Sequence, residues 1–70
     1  MPHRHEIRSE WLLACHDLDG RTVNAGAAVT TTGRVLLVLP PPGIVLTTTE
    51  TDGLLNRIRQ AWFATFDAAH

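Results

Sequence analysis

The sequence predicts an α+β fold: a three- to four-stranded antiparallel β-meander followed by one C-terminal α-helix packed on one sheet face. Three observations predict it. Side chains alternate with a period of two through residues 7–16 and 22–30, the spacing of strands with two unlike faces. Asp19-Gly20 and Thr32-Gly33 sit where hairpin turns need glycine. Beyond Thr49 the apolar residues change to helical spacing.

The first strand spans 7–16, with Ile7, Ser9, Trp11, Leu13 and Cys15 alternating with Arg8, Glu10, Leu12, Ala14 and His16. Residues 1–6 lack this pattern and are expected as a flexible tail. Asp19-Gly20 reads as a two-residue type I′ turn, in which both central residues take positive φ. The second strand, 22–30, sets Val23, Ala25, Ala27 and Val29 against Thr22, Asn24, Gly26 and Thr30. After Thr32-Gly33, residues 34–39 are apolar without alternation beyond Arg34. Pro40, Pro41 and Pro42 then stop the strand, because proline has no ladder donor. Residues 44–48 read as a fourth, short strand.

Thr49-Glu50-Thr51-Asp52 resembles a capping box with Asp in place of Glu or Gln. A helix over 50–68 follows. Leu54, Leu55, Ile58, Ala61, Trp62, Thr65, Phe66 and Ala69 form its expected sheet-facing stripe, with Arg57 and Arg59 at the borders and Phe63 outside it.

Two-residue turns fix a register in which Val29 opposes Leu36 and Ala27 opposes Val38. One face then carries Leu12, Ala14, His16, Val23, Ala25, Ala27, Val29, Leu36 and Val38. The other carries Trp11, Leu13, Cys15, Ala28, Val35, Leu37 and Leu39. Both are apolar, and one helix covers only one of them. The second face is therefore expected to be closed by another copy of the chain or by a larger protein partner.

Composition points the same way. Seventy residues make a single domain, and a chain this short gains little from its core alone. The one cysteine rules out a disulfide within the chain. A net charge of -1 disfavours a strongly basic nucleic-acid binder. The prolines break the longest uncharged run, so no membrane helix is expected. Met1-Pro2-His3-Arg4-His5 is followed by no apolar signal region, and a cytoplasmic location is expected.

Candidate chemistry is sparse. His3 and His5 stand at a spacing that could offer one edge of a metal site, with Cys15, His16 and His70 as further donors. No Cys-x-x-Cys or His-x-x-x-His pattern supports it, so neither metal nor cofactor is expected. Cys15 and His16 are neighbours in a strand and point to opposite faces, which separates a nucleophile from its base. Asp17 and Asp19 fit turn chemistry better than a carboxylate pair. Thr30-Thr31-Thr32 and Thr47-Thr48-Thr49 suit strands and caps, and the three prolines suit a stiff connection.

Residues 34–69, with an apolar strand, a proline-glycine break, Val45-Leu46-Thr47 and an Ala- and Arg-bearing helix, resemble many small actinobacterial proteins. Some of those accompany helix-turn-helix regulators. The motif is generic and assigns no residue a role. Arg as the only basic residue type also matches the composition of a GC-rich genome.

The expected function is a non-catalytic protein-interaction or regulatory module, homodimeric through the second sheet face, with Trp11, Leu13, Val35, Leu37 and Phe63 as contact residues. One alternative is a small DNA-binding module of sheet plus helix, using Arg8 and Arg34. Another is a small enzyme with a site at a dimer seam, where His16 is the first candidate.

Overall fold

The computed structural model describes residues 6–68, with side chains as far as Phe66. It has four strands, β1 (Ile7–Asp17), β2 (Thr22–Thr30), β3 (Val35–Val38) and β4 (Ile44–Val45), then one helix, α1 (Thr48–Ala68). The strands form one antiparallel sheet in the order β3-β2-β1-β4. The helix packs across β2 and β1 and reaches β3. This is the α+β fold expected from the sequence.

The register differs from that expectation by one residue in both hairpins. Trp11, Leu13 and Cys15 oppose Ala27, Ala25 and Val23. Val29 opposes Val35 and Ala27 opposes Leu37, in place of Leu36 and Val38. The cause lies in the turns, which have three residues each. In the first, the Gly20 N–H donates to the Asp17 carbonyl at 3.1 Å, and the Asp17 N–H donates to the Arg21 carbonyl at 2.9 Å. The second repeats this, with Gly33 N–H to the Thr30 carbonyl at 3.0 Å and Thr30 N–H to the Arg34 carbonyl at 2.9 Å. Gly20 and Gly33 take φ values of 82° and 81°, the left-handed position that ends a three-residue hairpin loop. A side-chain oxygen completes each turn. Asp17 Oδ1 accepts the Arg21 and Asp19 N–H groups, both at 2.9 Å, and Thr30 Oγ1 accepts the Arg34 N–H at 3.0 Å.

A one-residue slip exchanges faces. Trp11, Leu13, Cys15, Val23, Ala25, Ala27, Val29, Val35 and Leu37 therefore share one face. Cys15, Ala25, Ala27 and Val29 are buried there, and Ala61 of the helix is buried with them. The opposite face interleaves Glu10, His16, Thr22 and Asn24 with Leu12, Ala14, Ala28, Leu36 and Val38, and Val45 joins it opposite His16. It is more polar than the expected all-apolar second face.

Two local features hold β1 in place. The register shifts between Ile7 and Ser9, and the Thr31 N–H donates to the Glu6 carbonyl at 2.8 Å beside that bulge. Further along, Gly26 lets β1 and β2 approach closely. A Cβ added there would collide with the Trp11 carbonyl oxygen and stand 2.9 Å from the Leu12 Cα.

The helix starts two residues earlier than expected, on a different capping box. Thr47 Oγ1 accepts the Glu50 N–H at 3.1 Å, and Glu50 Oε1 accepts the Thr47 N–H at 2.9 Å. This is the reciprocal Thr-x-x-Glu arrangement, and Glu50 also faces the positive end of the helix dipole. β3 and β4 are shorter than the 34–39 and 44–48 segments expected.

Candidate functional site

The helix turns a different stripe to the sheet from the one its large apolar residues suggest. Ala61 is buried and Glu50, Gly53, Leu54, Arg57, Ile58, Ala64 and Thr65 are half-buried, whereas Leu55, Trp62 and Phe66 are exposed. The central helix-facing positions of β2 are the small side chains Ala25 and Ala27, both buried, between Val23 and Val29. Against that flat floor, Gly53, Ala61 and Ala64 allow close approach. A Cβ on Gly53 would stand 3.9 Å from Leu13 Cδ1, so helix and β1 meet there at contact distance.

The excluded residues form a second apolar flank. Leu55, Trp62 and Phe66 stand at i, i+7 and i+11, within about 40° of one another around the helix. Trp62 is 53% exposed, Phe63 55% and Phe66 52%. The rings meet in tilted contacts, with Trp62 centred 5.2 Å from Phe63 and 5.8 Å from Phe66. Ring pairs at these separations stabilise an aromatic cluster.

Arg57 fixes which way this flank faces. Its Nε donates to the Leu12 carbonyl at 3.1 Å and its Nη1 to the Gly53 carbonyl at 3.0 Å. Arg57 thus lies on the β1 side of the helix. The aromatic flank is about 140–180° further round at helical spacing, so it lies on the β2–β3 side. There β3, an edge strand, adds Val35, 40% exposed, and Leu37, 49% exposed, on the same sheet face. Leu36 is exposed on the other face. An open depression of about 370 Å³, lined by Thr30, Arg34, Val35 and Leu36, lies at the turn end of this edge.

Of the five expected contact residues, Val35, Leu37 and Phe63 are exposed, and Trp11 and Leu13 are half-buried. Trp11, Leu13, Val35 and Leu37 share the sheet face that carries the helix. Helical spacing predicts Leu55, Trp62 and Phe66 in the sheet-facing stripe, and the structure exposes all three. The alternative stripe of small residues beneath the alanines of β2 was the signal that they belong outside.

The reactive side chains stand apart. Cys15 is buried on the helix side and His16 is exposed on the opposite face. Burial pushes the Cys15 thiol above its ordinary range, and the Glu50 carboxylate adds to the shift. Asp17 is engaged in its turn. No group of three His, Cys, Asp or Glu side chains converges among the described residues. His3, His5 and His70 lie outside those residues. No described helix is long and apolar enough to cross a membrane. No family model matches the chain, and no curated protein or solved structure matches it.

Proposed function

We propose that the chain is a small non-catalytic interaction or regulatory module that works as a homodimer through the apolar surface running from the helix flank to the β3 edge. The observation that carries this reading is the Trp62-Phe63-Phe66 cluster, half-exposed on the helix, together with Val35 and Leu37 exposed on the β3 edge. Exposed aromatic clusters of this kind mark protein-protein contacts. The core supports the same reading. Among the described residues the fully buried side chains are Cys15, three alanines of β2, Val29, Thr30 and Ala61, a small apolar payload for a domain that must offset its ordering entropy.

The flank is a better contact than the open sheet face. Closing that face against a copy desolvates Glu10, His16, Thr22 and Asn24, at a cost wherever they are left unpaired. On the flank, the long stem of Arg59 lets its charged head reach water. A cytoplasmic setting fits the single buried thiol of Cys15.

Trp62→Gln combined with Phe66→Gln tests the reading. Both residues are exposed, so the helix is expected to fold with an unchanged circular dichroism spectrum. The sedimenting mass is expected to drop from two chains to one. A variant that still self-associates like the parent chain would overturn the assignment of this surface.

A further inference from the structure

The hydrogen-bonding pattern of β3 specifies what meets this surface. In an antiparallel ladder, residues alternate between those that exchange hydrogen bonds with the neighbouring strand and those whose N–H and C=O point away from it. The Thr30 N–H bonds the Arg34 carbonyl, so Arg34 faces β2. Counting along the register, Leu36 opposite Ala28 and Val38 opposite Gly26 also face β2. Val35 and Leu37 then direct their N–H and C=O groups outward, along the free edge of the sheet. A row of outward backbone donors and acceptors is a template for another strand.

The row is symmetric about Leu36. An antiparallel copy of β3 centred on that residue sets Val35 beside Leu37 of the second copy and Leu37 beside its Val35. Each pair exchanges two hydrogen bonds, which uses all four outward groups on both copies. The pairing is kept short by Gly33 at one end and Pro40, Pro41 and Pro42 at the other. On the helix side, the two-fold axis brings both aromatic flanks over Val35 and Leu37 of each copy.

The area is sufficient. At about 150–250 Å² for a whole aromatic side chain, half-exposed Trp62 and Phe66 together with Leu55, Val35 and Leu37 offer roughly 450–500 Å² per copy. Burial from both sides reaches about 900–1,000 Å², the scale of a small or reversible interface, with the paired β3 backbones in addition.

We infer that a second copy of this chain adds its β3 to the first, antiparallel and centred on Leu36, to make one continuous eight-stranded sheet with both helices on the same side. This inference rests on the interaction reading above and names its geometry.

Leu37→Pro tests it, because proline there removes an outward N–H and leaves the β2 ladder intact. Leu36→Pro is the control and removes an inward one. Leu37→Pro is expected to remain folded and to sediment as one chain, whereas Leu36→Pro is expected to lose the β2–β3 hairpin. A folded Leu37→Pro dimer would overturn the pairing. Amide exchange of the unmodified chain decides the matter independently of how either variant folds. The Val35 and Leu37 amides are expected to exchange about tenfold more slowly, or slower still, once concentration favours the dimer. A dimer in which these amides exchange as freely as in the dilute chain overturns the pairing alone. An unmodified chain that stays monomeric overturns the pairing and the homodimer reading together.

Discussion

Arg57 on the helix donates from Nε to the backbone carbonyl of Leu12, 45 residues earlier, at 3.1 Å. The guanidinium is held from its own helix too, through Nη1 and the Gly53 carbonyl. This tie sets the rotation of the helix, since one flank is fixed over β1 and the aromatic flank is left above β2 and β3. Arg57→Met keeps the stem and removes the donors. It is expected to cost about 1 kcal/mol, the net worth of a typical hydrogen bond, as a lower midpoint in urea unfolding. An unchanged midpoint would show that the tie does not hold the helix.

Gly26 is expected to be the least replaceable residue of the sheet. Gly26→Ala drives a Cβ into the β1 backbone at Trp11 and Leu12, where neither neighbour is a flexible side-chain end. Overpacking of this kind costs about 1–3 kcal/mol, and thermal unfolding reads it as a lower Tm. Equal stability would mean that β1 can shift away at no cost.

The helix cap makes a discriminating pair. Thr47→Ala removes the Oγ1 that accepts the Glu50 N–H and is expected to cost about 1 kcal/mol. Thr49→Ala, on an exposed residue inside the first turn, is expected to stay within about 0.5 kcal/mol of the parent. Denaturant midpoints of the two variants check the order.

The sequence carried more of this fold than simple turn rules extract. Asp19-Gly20 fits a two-residue turn and equally the last two positions of a three-residue one, because both need positive φ at glycine. What separates them is the alternation of the flanking strands. Only the longer loop sets apolar Trp11, Leu13 and Cys15 opposite apolar Ala27, Ala25 and Val23, whereas the shorter one sets them opposite Ala28, Gly26 and Asn24. The cap was legible in the same way, since Thr47-x-x-Glu50 matches the capping-box pattern without substitution. The aromatic flank was harder to see. Helical spacing permits two neighbouring stripes on this helix, and size favours the one with Trp62 and Phe66. The choice depended on the alanine floor of β2, a property of the tertiary contact.

Cys15 gives a pH dependence. Its thiol is raised in the folded state, by burial first and the Glu50 charge second. The folded chain therefore holds the proton more tightly than the unfolded chain does. This contribution to stability is fully present below the ordinary thiol range and is lost as pH rises through the raised folded value. Urea midpoints are expected to fall with rising alkaline pH in the parent and to fall less in Cys15→Ala. Equal slopes would remove Cys15 as the cause. A thiol reagent at neutral pH is expected to label the chain only as fast as it opens.

Two copies of this chain are proposed to meet through the apolar surface that the fold leaves open. Sedimentation equilibrium of the unmodified chain at micromolar concentration tests it most directly. The expected result is a particle of twice 7.7 kDa that dissociates on dilution. A single 7.7 kDa species at every concentration would contradict it.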